Sequence, residues 1–322
     1  MPVDEERLTR LRRYEDREAE LAEEFLARRI GPWRSFVLLT TPLRESRAFG
    51  WVICPSLGTE HGNLRRLETL IARSLARSGF PVVRIRPDLT PTRGASGEID
   101  LSARMAEVEE AVTLLREEYG LDAVGLAGML FGATVAAVTA EHLGARAIAL
   151  VEPILRGKRY LRETVRRQAV AELMALDEAD SGADDASAHQ PSSQAFDEFA
   201  AAGQIWIRGL RLTQEEYERI AEIDLLEQPL QFRESSLLID ISPYGAISSS
   251  ATRLRDRLLD LGGTVHVAAL DDPLPAPFGE YYYRNVGAVR MDTRLELDQR
   301  IASVMTAWAV DTFDEYPRRV AS

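Results

Sequence analysis

One cysteine, one lysine and four histidines occur in 322 residues, and each scarcity removes a class of function. A lone Cys54 has no partner for an intramolecular disulfide, which fits a reducing compartment. His61, His142, His189 and His266 are scattered and, with a single cysteine, provide no metal-ligand spacing. No G-x-x-x-x-G-K-S/T is present, and no G-x-G-x-x-G opens a helix after a strand, so no nucleotide, metal or other cofactor is expected. No apolar run approaches the roughly 20 residues that cross a bilayer. The opening MPVDEERLTRLRRYEDREAEL is too charged for a secretory signal, and the expectation is a cytoplasmic protein. A formal charge of −12 argues against a nucleic-acid partner, because phosphate binding needs a positive surface.

What is present is alternation. Residues 4 to 29 read as a charged amphipathic helix, with Leu8, Leu11, Tyr14, Leu21 and Phe25 roughly on one face, suited to packing on the body or on a second copy of the chain. Short apolar runs then alternate with helical periods: SFVLLTTPL, GWVICPS, the helix LRRLETLIARSLARS, GFPVVRIRP, the helix SARMAEVEEAVTLLREEYG, LDAVGLAG, the helix TVAAVTAEHLG and RAIALVEP. Buried parallel strands read as apolar runs, and crossover helices between them carry the 3.6 period, so the pattern predicts an α/β protein with a mostly parallel, doubly wound sheet.

The pattern breaks after Pro153. An Arg-rich amphipathic helix is expected over 156–176. It is followed by LDEADSGADDASAHQPSSQ, acidic and without period, which reads as a loop. GQIWIRGLRLT reads as a strand with a glycine kink, and QEEYERIAEIDLLEQ as a short helix capped by Thr213. Alternation resumes with SSLLIDISP, the helix SSATRLRDRLLDL, the strand GTVHVAAL and a final helix from about Leu295 to Thr312. The predicted organisation is an N-terminal helix over 1–30, a core formed by 31–154 and 233–322, and an insertion over 155–232.

CPSLGTEHGNLRR, GLAGMLFGA, VEPILRGKRYLRE and WIRGLRLT, in that order, resemble the α/β-hydrolase superfamily. The chain is similar in particular to serine aminopeptidase-like hydrolases and to the exosortase-system-associated hydrolase-like proteins of bacteria, some of which lack the usual serine. The resemblance covers about residues 35 to 310 and implies a cap inserted after the sixth strand. It also implies a nucleophile elbow, G-x-S-x-G, at Gly128-Met129-Leu130-Phe131-Gly132, where Leu130 stands in place of serine. The acid position, after SSLLIDISPYG, offers Ser242, Pro243 and Tyr244, with Asp240 inside the strand. The histidine position is unfilled, since no histidine follows His266. Ordinary Ser-His-Asp hydrolysis is therefore not expected. The resemblance further implies an oxyanion hole from the backbone N–H of Phe131 and of a residue near Leu57, bordered by Ser56, Met129 and Leu130.

Glu152 ends the strand RAIALVE, where open α/β sheets place ligands, and reads as a general base or as a salt-bridge partner of Arg156 or Arg159. His61 reads as a proton shuttle or as a helix-start residue at Asn63. Lys158 reads as the group that neutralises a leaving carboxylate or as a solvated lysine. Ser56 and Cys54 are stand-in nucleophiles, although Cys54 sits in an apolar strand and Ser56 has no identifiable base. Tyr282, in EYYYR, could bind a substrate carboxylate. Three functions remain open: a lyase that eliminates a carboxylate such as acetate from, or cyclises, a small acylated specialised-metabolite intermediate; a catalytically inactive binding protein; and an esterase or thioesterase with a relocated nucleophile. A homodimer through the N-terminal helix or the cap is a further expectation.

Overall fold

The apolar runs become strands because each buries side chains on both faces of one sheet. In the run Phe49–Cys54, Phe49, Trp51 and Ile53 enter one apolar cluster while Val52 and Cys54 enter another on the opposite side, as the two-residue period requires. Burying each of these large side chains contributes roughly 1.5–3 kcal/mol. The computed structural model describes residues 12–32, 34–87, 100–166, 203–207, 210–227, 230–272 and 288–320. Among them the strands are β1 (Arg13–Asp16), β2 (Leu21–Ile30), β3 (Ser35–Pro42), β4 (Glu45–Arg47), β5 (Phe49–Cys54), β6 (Val82–Arg86), β7 (Ala123–Met129) and β8 (Ala147–Val151). They continue as β9 (Gln204–Ile207), β10 (Leu210–Thr213), β11 (Ser235–Ser242), β12 (Thr264–Asp271) and β13 (Arg318–Val320). The helices are α1 (Gly58–Arg77), α2 (Leu101–Glu117), α3 (Phe131–Thr139), α4 over 157–166, α5 (Gln214–Ala221), α6 (Ser249–Asp260) and α7 (Ala288–Phe313).

Nine strands form one sheet in the order β1-β2-β3-β6-β5-β7-β8-β11-β12. Pairing is antiparallel from β1 to β6 and parallel from β6 to β12. α1 and α7 pack together over the cluster of Phe49, Trp51, Ile71, Met305 and Trp308, and α2 and α3 cover Val52, Val83, Leu115 and Phe131 on the other face. The sheet is therefore doubly wound, as the alternation predicts. Asp100, Thr213 and Ser248 cap α2, α5 and α6 by accepting the N–H of the third residue on.

The N-terminal stretch departs from its helical reading. Residues 13 to 30 form β1 and β2, which pair with each other and extend the sheet beyond β3. Leu21 and Phe25, four residues apart, share a face in a helix and in a strand alike, and a register shift between Leu26 and Arg29 interrupts the two-residue alternation beyond them. The dense Glu and Arg of this stretch serve the sheet surface: Glu23 pairs with Arg73 of α1 and Arg84 of β6. A dimer formed through a helix has no helix over 13–30 to form through.

β1 apart, β8 is the sixth strand of the large sheet, and the chain leaves it there to rejoin at β11. The single kinked strand expected in GQIWIRGLRLT is instead an antiparallel pair, β9 and β10. The ends of the insertion are tied together: Gly157 N–H donates to Ile223 O at 2.9 Å, Leu225 N–H to Leu155 O at 2.9 Å, and Arg156 bridges to Asp224. A Cβ on Gly157 would stand 1.6 Å from Ile220 O, so only glycine permits this crossing. α4 lies over the start of α3, where Tyr160 stacks on Phe131 at 5.9 Å and donates its hydroxyl to Glu60 Oε1 at 2.8 Å. LDEADSGADDASAHQPSSQ, with His189, lies outside the described residues. No helix among the described residues is long and apolar enough to cross a membrane.

Candidate active site

At the end of β7 the chain turns sharply into α3, and Leu130 is the apex. Its φ of 50° and ψ of −120° place a branched side chain in a region that costs an L-residue about 1–3 kcal/mol. Two glycines make the turn possible: a Cβ on Gly128 would meet the Gly132 carbonyl carbon at 2.3 Å, and one on Gly132 would meet Cys54 O at 2.4 Å. The elbow geometry implied by the resemblance is thus formed with a leucine in it. Leu130 is buried in the same apolar cluster as Met129, Val151 and Ile239, and an aliphatic side chain cannot attack a carbonyl.

Ser56 braces this turn. Its hydroxyl donates to Met129 O and accepts from Gly132 N–H at 3.3 Å, and the side chain is buried. The loop-tip serine of the sequence reading is therefore committed to backbone groups. Phe131 is the first residue of α3, where helix amides have no carbonyl four residues back. Among the described residues neither the Phe131 nor the Leu57 amide donates to another group. Cys54 is wholly buried, and burial pushes its thiol pKa far up, which leaves it un-ionised.

Glu152 stands at the end of β8, beside the apex: Leu130 N–H donates to Val151 O at 2.9 Å. It too has positive φ, 48°. Its Oε1 accepts the Ile241 N–H at 2.5 Å, and its carboxyl faces Asp240 at the end of β11. Asp240 in turn accepts the N–H and hydroxyl of Ser248 at the head of α6. Burial raises the Glu152 pKa from 4.5 to about 8; the Ile241 N–H opposes this, and the Asp240 charge and hydrogen bond reinforce it. Arg156 pairs with Asp224 and Glu227, and Arg159 with Glu163, so Glu152 takes neither arginine as a partner. The two carboxyl groups line a cleft of about 460 Å³ with Pro153, Ile154, Tyr160 and Ser249.

The remaining candidates separate. His61 is 2% exposed and turned into the protein, its Nδ1 3.3 Å from Glu68 Oε1, while Arg86 lies 3.4 Å from Glu68 Oε2. It does not line the Glu152 cleft. Lys158 is exposed on α4 and borders a neighbouring groove. His142 and His266 are exposed, and Tyr244 is fully out in solvent. Tyr282 lies outside the described residues. Asp240 and Ser248 were not singled out as site residues because they follow the insertion and meet Glu152 only through strand pairing. The buried Glu60 was missed too, although its place in the first turn of α1 was a usable signal. Among the described residues no group of three His, Cys, Asp or Glu side chains is placed to hold a metal ion.

No protein-family model matches the chain, and no curated protein matches it. Its fold is similar to that of solved esterases. A Pyrobaculum calidifontis esterase in a monoclinic form superposes with a TM-score of 0.52 at 18% identity, over 89% of this chain and 86% of that one. A structure of the hyperthermophilic esterase from the archaeon Pyrobaculum calidifontis gives 0.50 at 18% identity and the same coverage. At that identity the likeness is one of fold, and the chain has the α/β-hydrolase fold.

Proposed function

We propose that the chain is a non-hydrolytic enzyme on the α/β-hydrolase scaffold, a lyase-type catalyst of proton transfer on a small acyl or carboxylate substrate. The observation that carries this is Glu152: a desolvated carboxyl with a pKa near 8, paired with Asp240, in a cleft one strand from an elbow that has no hydroxyl or thiol at its apex. A carboxylate held near neutral pKa is suited to take or return a proton. In the reaction proposed, ionised Glu152 removes a proton α to the substrate carbonyl, and the electrons pass to the carbonyl oxygen. As the carbonyl re-forms, a carboxylate such as acetate leaves from the β-carbon with the bonding pair, and Glu152 returns its proton to solvent. Hydrolysis through a relocated nucleophile is disfavoured by the engaged hydroxyl of Ser56 and the un-ionised thiol of Cys54.

The test offers the protein β-acyloxy carbonyl compounds and follows acetate release and the second product by NMR. Wild type is expected to give an alkene, with a rate that rises with pH through about 8 because the ionised carboxylate is the base. Glu152→Gln, which keeps shape and hydrogen bonds, is expected to lower kcat about 10²–10⁴-fold. An alcohol product, or a fluorophosphonate adduct mapped to Ser56 or Cys54, would return the reading to hydrolysis. A second reading, a binding protein, is favoured by the packing of Leu130 into the apolar cluster, and saturable binding of these compounds without turnover would select it.

A further inference from the structure

The insertion carries a groove of about 900 Å³ that shares Arg156, Arg159 and Glu163 with the Glu152 cleft. Among the described residues its cations are Arg156, Lys158, Arg159, Arg162 and Arg166, all exposed, and its carboxylates are Glu163, Asp224 and Glu227. Among these described residues five positive charges against three negative ones leave a surplus of two, on a chain whose formal charge is −12. Arg156 is paired with Asp224 and Arg159 with Glu163. Among the described residues no carboxylate lies within ion-pair distance of Lys158, Arg162 or Arg166.

These three residues follow one another at a spacing of four along α4, so they form a single stripe on its surface. Like charges at that spacing repel and destabilise a helix unless an anion lies between them. Guanidinium groups bind phosphate through paired hydrogen bonds, and an ammonium adds a point charge.

We infer that this groove takes the phosphorylated, at least dianionic, tail of a soluble substrate whose acyl end enters the Glu152 cleft. The inference rests on the proposed role of that cleft and adds the substrate's second feature. A tail seated on α4 would fix the acyl end beside Glu152 through Arg156 and Arg159, which border both spaces.

Lys158 is the only lysine of the chain, so its acylation by an amine-reactive ester reads the groove directly when the modified peptide is identified by mass spectrometry. With pyrophosphate at about five times its dissociation constant, labelling of Lys158 in the full chain is expected to slow about sixfold. Protection should weaken as salt is raised. R162E/R166E is expected to abolish protection, and R162Q/R166Q, a milder change at two exposed positions, to weaken it. Labelling that is indifferent to pyrophosphate, or protection that survives in both variants, overturns the inference. Binding to phosphatidylglycerol vesicles with no protection by pyrophosphate also overturns it, since the anion source would then be a membrane. Glu152→Gln should leave protection unchanged, so a failure here is separable from a failure of the proposed chemistry.

Discussion

Glu152→Gln should change how stability depends on pH more than it changes stability itself. The folded protein holds the Glu152 proton up to about pH 8, whereas the unfolded chain releases it near 4.5. Between those values the folded state binds the extra proton, so wild-type stability is fully present below 4.5 and is lost as pH rises toward 8. At about 1.4 kcal/mol per pH unit, the loss between pH 5 and pH 8 is about 3 to 4 kcal/mol. Glutamine cannot ionise. Its carbonyl can accept the Ile241 N–H, and its amide can donate to Asp240, reproducing both bonds of the protonated acid. Urea unfolding of both proteins should therefore give similar stabilities at pH 5 and a variant more stable than wild type by about 3 kcal/mol at pH 8. A difference that changes by less than about 0.5 kcal/mol across this range would refute the assignment of a desolvated, proton-holding carboxyl at Glu152.

Leu130→Ser should fold and still fail to hydrolyse activated esters or to take a fluorophosphonate, because among the described residues no histidine reaches the elbow; stoichiometric labelling of the new serine would refute this. Gly132→Ala forces a Cβ to 2.4 Å from Cys54 O and should cost about 3 kcal/mol or more in urea unfolding, since backbone lies on both sides of the contact. Ser56→Ala leaves the buried Met129 carbonyl and Gly132 amide without their side-chain partner and should cost about 1–3 kcal/mol. If Ser56 were the nucleophile instead, the same substitution would abolish turnover while leaving stability little changed.

The core was legible because its information is local. SSLLIDIS and FGWVIC read as short apolar strands buried on two faces, and Thr213 reads as the cap of α5. The elbow was legible for the same reason, since glycines at 128 and 132 are steric requirements of a tight strand-to-helix turn. Local reading failed at β2, where apolar residues four apart suit a helix and a strand alike, and at β9 and β10, where the hairpin partner was mistaken for a continuation. It also left His61 open, and the structure turns that side chain inward toward Glu68.

The sequence by itself determined the strands β3, β5 to β8, β11 and β12, the helices between them, the two-sided burial of the sheet and the identity of the residue at the turn after β7, because periodicity and side-chain chemistry are properties of neighbouring residues. Only the tertiary structure decided the site. Glu152 and the Ile241 amide that binds it are 89 residues apart in the chain, and they meet because β8 and β11 pair side by side across the insertion. The raised pKa follows from that meeting: desolvation and the charge of Asp240 act over a few ångströms, a distance the sheet sets.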